Sequence, residues 1–184
     1  MKRFILIVAA ALCFATTLSA QTTYISPDLF IEELRGNVAK VEYLNEYGSV
    51  EIEKSYNEKG YIIPQEITIE RDEQTRIIRI TNADWGYTEE YTYDANGWLV
   101  KKSYEDSSET YTVSYLYDNT GTLARTIKSG ENDDCEFIIT TDYLVMGRDS
   151  NGNWFKRRRQ ITSTYDGETG GRETIIETRK ITYR

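Results

Sequence analysis

A degenerate turn that recurs along the chain is the feature that most constrains the fold. Residues 93–99 (Tyr-Asp-Ala-Asn-Gly-Trp-Leu) return 24 residues later as 117–123 (Tyr-Asp-Asn-Thr-Gly-Thr-Leu), and weaker copies lie at 56–62 and 149–154. Asp or Asn at the head of such a turn hydrogen-bonds the backbone two residues on, and Gly adopts the positive φ that closes a hairpin. The repeat therefore predicts stacked β-hairpins, each too small to bury its own apolar face alone.

From Val38 onward, runs rich in Tyr, Thr, Ile and Val alternate with clusters of Asn, Asp, Gly and Ser. Two-residue alternation places whole sets of residues on one face, among them Val113, Tyr115 and Tyr117, and the longer run Phe137, Ile139, Thr141, Tyr143 and Val145. Residues 105–109 and 131–134 would form the opposite turns of two hairpins. The pattern predicts an all-β chain, an antiparallel β-hairpin repeat meander of about ten strands. The terminal strands carry no obvious complementary pattern, so the twisted sheet is expected to remain open.

The amino terminus has the pattern of an export signal. Basic residues 1–3 precede an apolar run over 4–15, which is too short to span a bilayer, and a small-residue cleavage site follows at 18–20. We therefore expect residues 1–20 to be removed and the protein to act in the periplasm, outside the cell or at its surface. No membrane-spanning segment is expected after removal.

The predicted mature chain divides into an N-terminal cap over 21–36 and a single β-repeat domain over 37–184. Ser26 has the character of an N-cap, Pro27 and Asp28 suit a first helical turn, and Gly36 would stop the helix. The expectation is a short helix over 26–35 whose apolar side caps the first edge of the sheet.

Charge argues against some partners. The formal net charge is −8, and it becomes −10 when Lys2 and Arg3 are removed, which disfavours nucleic acid and anionic membrane surfaces. The one basic run, 156–159, lies in a predicted strand, so its four cations split two and two between the faces. A solvated or edge-protecting role is favoured there over a polyanion site.

Cys135 is the single cysteine of the predicted mature chain, and a small buried hydrophobe is favoured over a reactive or dimer-forming thiol.

The Tyr-Asp-x-x-Gly-x-Leu units at 93–99 and 117–123 resemble the tyrosine–aspartate (YD) repeats of rearrangement-hotspot proteins and related toxin shells. A closer likeness is to short secreted YD-repeat-like proteins of Bacteroidetes. Those open with a Leu-x-Gly-x-Val segment, as at 34–38, and close with a Gly-Asn-Trp turn and an Arg-x-Ile-x-Tyr strand, as at 152–154 and 179–183. The resemblance implies a β-hairpin architecture and an exported location. It implies no reaction and no ligand.

Catalytic signals are weak. The chain has no histidine, which removes His-based triads, most zinc sites and the usual general base near neutral pH. The acidic pair Glu89–Glu90 and the cluster over 131–136 leave a carboxylate-based hydrolase as a weak alternative. The acidic turns resemble the first half of a calcium loop without its Gly at position six, so a structural turn is favoured and calcium binding stays open. We expect no cofactor, no metal site and no enzymatic activity.

The aromatic residues suggest a surface function. The chain has 15 Tyr, and cross-strand packing is favoured over an aromatic binding platform. The leading hypothesis is a secreted, non-enzymatic binding module at the cell envelope, whose partner is an unknown protein or glycan. Trp85, Trp98 and Trp154 are its candidate ligand-binding residues, with core packing as the alternative for each. The second hypothesis is a structural component that assembles through sheet edges.

Overall fold

The computed structural model describes residues 26–64 and 66–184, so the predicted signal peptide lies outside the described residues. One antiparallel sheet of eleven strands and one helical turn, α1 (Pro27–Ile31), make up the regular structure. The strands are β1 (Val38–Leu44), β2 (Val50–Ser55), β3 (Thr68–Arg71), β4 (Ile77–Asn82), β5 (Tyr87–Tyr93), β6 (Leu99–Glu105), β7 (Glu109–Tyr117), β8 (Leu123–Asn132), β9 (Glu136–Arg148), β10 (Trp154–Tyr165) and β11 (Glu168–Tyr183). The prediction of an all-β meander with a short N-terminal helix is confirmed.

The order of strands across the sheet is β2-β1-β11-β10-β9-β8-β7-β6-β5-β4-β3. The sheet is open, as predicted, but the reason given for it is wrong. The first and last strands do complement each other, since β1 pairs with β11 from Val38 opposite Tyr183 to Leu44 opposite Thr178. The opening lies instead between β2 and β3, which form the two edges.

The connection between these two edges shows that the sheet is strongly curved. In a flat sheet, strands about 4.8 Å apart would place β2 and β3 about 48 Å from each other. The chain between them folds back on itself where Tyr56 pairs with Ile62. The six residue steps from Ile62 to Thr68 reach at most about 20 Å. The sheet must therefore curl until its edges approach, and it has a concave and a convex face.

Turns of one construction gather at one end of the curled sheet, which we call the turn end. In each, the backbone N–H of the fourth residue donates to the carbonyl of the first, as from Gly97 to Asp94 at 3.0 Å and from Gly121 to Asp118 at 3.0 Å. The first residue's side chain also accepts two backbone N–H groups, as Asp94 does from Asn96 and Trp98. The turns at this end begin at Asn57, Asp72, Asp94, Asp118 and Asp149, and a sixth of the same kind, at Asn45, joins β1 to β2 at the opposite end.

One of these turns departs from the repeat because it has no glycine, over residues 71–75. Thr75 occupies the position of the glycine with φ 64°, close to Gly97 at 84°. The turn chemistry is thus set by Asp72 at its head, and a strained threonine completes it.

Strand alternation gives the two faces different compositions. The predicted common face on β9 is confirmed and is the inward one, since Phe137 and Thr141 are buried and Ile139 and Tyr143 line the concave face. At two of the turns the residue two after the glycine is buried, since Leu99 and Trp154 are each 1% exposed. The convex face leaves apolar side chains in solvent, among them Leu116, Ile138, Leu144, Met146 and Ile176.

The N-terminal segment differs from its prediction in length and place. Ser26 caps α1 by accepting from the Leu29 N–H at 3.2 Å, as expected, but the helix ends at Ile31. Glu33 adopts φ 53°, and the N–H groups of Glu33 and Leu34 donate back to the carbonyls of Phe30 and Leu29. This is a Schellman end with Glu in the position where Gly is usual, so Gly36 was the wrong stop signal.

The segment closes the turn end of the concave face rather than capping a strand edge. Leu29 is 0% exposed and forms a buried cluster with Leu34, Val38, Val41 and Tyr56. On the other side, the Phe30 ring centroid lies 4.6 Å from that of Trp98. We call residues 26–35 the plug, because they fill the space that the five turns surround.

Candidate functional site

A cavity of about 910 Å³ occupies the concave face above the plug. Its floor is made by Ile31, Glu32, Glu33 and Trp154, and its walls come from β1, β2 and β5 to β11. At the opposite end, Tyr165 and residues 170–173 line its mouth. A single space that contacts strands from nearly the whole sheet is a consequence of the curvature.

The floor is fixed by one carboxylate, that of Glu33. One of its oxygens accepts from the Leu123 backbone N–H at 2.9 Å. The other accepts from the Trp154 indole N–H at 3.0 Å and from Arg157 at 3.1 Å. The plug is thereby tied to β8 and β10 through three donors.

Two arginines hold the Trp154 ring between them. The guanidinium carbons of Arg157 and Arg179 lie 4.0 and 3.7 Å from the Trp154 ring centroid. Arg179 is 2% exposed and donates to the backbone carbonyls of Trp154, Glu32 and Glu33. These contacts combine cation–π attraction with carbonyl capping of the plug's end.

A second carboxylate of the plug, that of Glu32, forms an ion pair with the edge strand β2. Glu32 accepts from Lys54 on β2 and from the Tyr43 hydroxyl, the latter at 2.6 Å. Burial alone would raise the pKa of Glu32, but the Lys54 ammonium and both hydrogen bonds outweigh it and lower the pKa to about 2. Glu32 is therefore a charged partner at neutral pH, and it holds β2 against the plug.

Two further ion pairs lie on the inner face. Glu89 on β5 accepts from Lys102 at 2.6 Å and from the Tyr91 hydroxyl. Lys128 on β8 donates to Glu109 at 2.8 Å and lies 3.6 Å from the Tyr111 ring centroid. Burial, followed by the Glu89 charge, raises the pKa of Tyr91, so its hydroxyl remains a neutral donor.

Tyrosines make up much of the wall. Tyr91, Tyr115 and Tyr143 line the cavity, and the Thr126 and Tyr143 hydroxyls lie 3.2 Å apart. Nearer the mouth end, Tyr104 and Tyr111 face each other across β6 and β7 and stack at 4.6 Å with planes 11° apart. This stack is a cross-strand ladder of the predicted kind.

The structure places the three candidate tryptophans in different settings. Trp154 is 1% exposed on the cavity floor. Trp98 is half-buried between Phe30 and Tyr117, and its ring covers Gly121 so closely that a Cβ there would lie 2.5 Å away. Trp85 is 77% exposed in the β4–β5 turn, which lies at the mouth end. Trp98 and Trp154 both lie at the turn end, and Trp85 does not join them.

The acidic candidates do not form a carboxylate pair in the cavity. Glu89 lines the cavity and Glu90 is exposed, because neighbours on a strand point to opposite faces. In the cluster over 131–136, residues 131–134 and Glu136 are exposed. At the turns, Asn45 accepts the same two backbone N–H groups as Asp118 does, so the motif needs no negative charge and no cation to form.

The basic run divides between the faces as predicted. Lys156 and Arg158 are exposed, whereas Arg157 and Arg159 line the cavity. The edge-protecting role is wrong, because β10 lies inside the sheet between β9 and β11.

Cys135 is half-buried in the β8–β9 turn, and burial together with Asp166 and Asp134 raises the pKa of its thiol.

Comparison with protein-family models, with curated proteins and with solved structures finds no match to this chain. Within residues 26–64 and 66–184, no helix is long and apolar enough to cross a membrane. Within the same residues, no three His, Cys, Asp or Glu side chains are grouped so that they could hold a metal ion.

Sequence reasoning missed the residues that build the cavity, above all Glu33, Lys54, Arg157 and Arg159. A signal was available in the alternation itself. Lys102 is two residues from Tyr104, and Arg157 and Arg159 are four and two residues from Ile161, so each cation faces the same inward side of its strand as these apolar residues. Charged residues at inward positions of several strands indicate a polar, water-accessible interior rather than an apolar core.

Proposed function

We propose that this chain is an exported, non-enzymatic binding protein of the cell envelope, and that its ligand occupies the cavity on the concave face. The observation that carries the proposal is the cavity itself, a space of about 910 Å³ with one end closed by the plug. That volume falls within the range of small-molecule sites, about 300–1,000 Å³.

The lining favours a glycan over an apolar ligand. Tyr91, Tyr115 and Tyr143 line the cavity with rings and hydroxyls, and Thr126 and Thr141 also line it. Rings that stack on a sugar face, combined with convergent polar groups, suit a hydroxylated ligand. The export signal and the likeness to secreted YD-repeat-like proteins support a glycan of the cell envelope as its source.

The test is a calorimetric titration of residues 21–184 with envelope glycans and peptidoglycan fragments. Val113 lines the cavity between Lys102 and Lys128, and its neighbour Ser114 is exposed on the convex face. We expect Val113→Trp to fill part of the cavity and weaken binding at least 10-fold, whereas Ser114→Trp leaves it unchanged. Equal effects of the two variants, with both folded by circular dichroism, would contradict a cavity site.

The second candidate function is assembly through sheet edges, which the unpaired edge strands β2 and β3 favour. Edge strands can recruit a strand from another chain. The edges here are poor templates, because β3 has four residues and β2 exposes Glu51 and Glu53. Light scattering coupled to size exclusion separates the two functions, since the cavity binder is a monomer and an assembling component is not.

A further inference from the structure

Arg159 is a cation on the cavity wall for which the described residues supply no ion-pair partner. Arg159 lies on β10 between Tyr143 on β9 and Ile175 on β11, with its side chain on the concave face. Its Nε is buried and has no hydrogen-bond partner among the described residues. A buried guanidinium nitrogen without an acceptor is costly unless a ligand or water supplies one.

Other cations of the inner face have carboxylate partners. Lys54 pairs with Glu32, Lys102 with Glu89 and Lys128 with Glu109. Arg157, two residues from Arg159, pairs with both Glu33 and Glu177. At the mouth, Arg172 and Glu173 are exposed to solvent. Arg159 is therefore a cation of the inner face that pairs with no carboxylate among the described residues.

The neighbours of Arg159 suit a sugar ring. Tyr143 is directly opposite on β9, and its hydroxyl reaches Thr126 at 3.2 Å. Thr141 and Ile161 pair with each other one row closer to the mouth. A guanidinium presents a planar fork of N–H donors that matches a carboxylate, and one unpaired charge matches a monoanion better than a phosphate dianion.

We propose that Arg159 binds the carboxylate of an acidic saccharide, such as a uronic acid, whose ring stacks against the tyrosine wall of the cavity. This assignment rests on the proposed function, because it names the ligand class of the same site. The adjacent Arg158 provides a matched control, since it is exposed on the convex face opposite Leu144 and Ile176.

The test compares digalacturonic acid with its neutral counterpart, galactobiose, by calorimetry on residues 21–184. We expect wild type to bind digalacturonic acid at least 10-fold more tightly. We expect Arg159→Gln to abolish that preference and Arg158→Gln to preserve it. Titration followed at the arginine Nε–H resonances, assigned with Arg159→Gln, should move the Arg159 signal with digalacturonic acid.

The outcomes separate the inference from the function on which it rests. Cavity binding of both sugars with equal affinity, or a preference that survives in Arg159→Gln, overturns the acidic-saccharide assignment and leaves the cavity site standing. If the Arg159 signal moves with inorganic phosphate but not with digalacturonic acid, Arg159 binds an anion, and the assignment of that anion to a saccharide is overturned. If the full glycan panel and both sugars leave every cavity resonance unmoved, the proposed function and the inference fail together.

Discussion

Replacement of Glu33 by Gln should loosen the plug, because Glu33 is surrounded by donors. Its carboxylate accepts from Leu123, Trp154 and Arg157 at 2.9, 3.0 and 3.1 Å. Gln has the same shape but carries an NH₂ group in place of one oxygen. Whichever way the amide turns, a donor then faces a donor.

The magnitude follows from the groups left without acceptors. If the NH₂ group faces β8, the Leu123 N–H loses its partner, and if it faces β10, Trp154 and Arg157 lose theirs. A buried unsatisfied donor costs about 1–3 kcal/mol, and each hydrogen bond to a charged group contributes about 1.5–3 kcal/mol. Arg157 keeps Glu177, which limits the loss on its side. We expect Glu33→Gln to lower the free energy of unfolding by about 3 kcal/mol, or about 6–12 °C in Tm for a chain of this size.

The assay is urea unfolding of residues 21–184 followed by circular dichroism and by tryptophan fluorescence. Glu46 is exposed in the β1–β2 turn, so Glu46→Gln removes the same charge and should change stability by less than about 0.5 kcal/mol. In Glu33→Gln, the Leu123 or Trp154 N–H should also exchange faster with solvent. A Glu33→Gln protein as stable as Glu46→Gln would refute the claim that this carboxylate fixes the plug.

Three further changes test other parts of the structure. Thr75→Gly should stabilise the protein by about 0.5–1 kcal/mol in thermal unfolding, because it relieves the strain of a positive φ at threonine. Gly97→Thr should destabilise the protein by about 1–2 kcal/mol. That cost comes from φ alone, because a Cβ at Gly97 meets nothing within 4 Å. If Gly97→Thr costs nothing, the shared turn geometry is wrong. Leu29→Ala should cost about 3–4 kcal/mol and the exposed Leu116→Ala less than about 1 kcal/mol, and equal costs would place Leu29 outside the core. Because the pKa of Glu32 is lowered from 4.5 to about 2, its pairing stabilises the fold fully above pH 4.5 and is lost as pH falls toward 2. We expect about 2 kcal/mol of acid-labile stability, discounted because the Lys54 side chain is 33% exposed. Glu32→Gln should flatten that part of the pH profile, and an unchanged profile would contradict the pairing.

The local rules of the hairpins could be predicted from the sequence, because they depend on neighbouring residues. Asp94 and Gly97 determine their turn by their own hydrogen bonds and φ, and the alternation from Phe137 to Val145 fixes which side of β9 faces inward. These contacts span few residues, so short motifs carry the information.

The curvature of the sheet and its cavity could not be predicted, because they depend on distant pairings. The contact between β1 and β11 joins Val38 to Tyr183, and the bond from Leu123 to Glu33 spans 90 residues. The helix end was misplaced because Glu33 adopts a positive φ, which is costly for a non-glycine residue, while its carboxylate is held by bonds to β8 and β10. Tertiary contacts override the local glycine signal at Gly36.

The cavity is the centre of this account, and the most direct test is a ¹H–¹⁵N correlation titration of residues 21–184 with the envelope glycan panel. We predict saturable shifts at Tyr115, Thr126 and Tyr143, which line the concave face, and none at Leu144, Met146 and Ile176 on the convex face. Shifts confined to the convex set, or no shift with any glycan, would contradict the proposal that the curled sheet is a binding site.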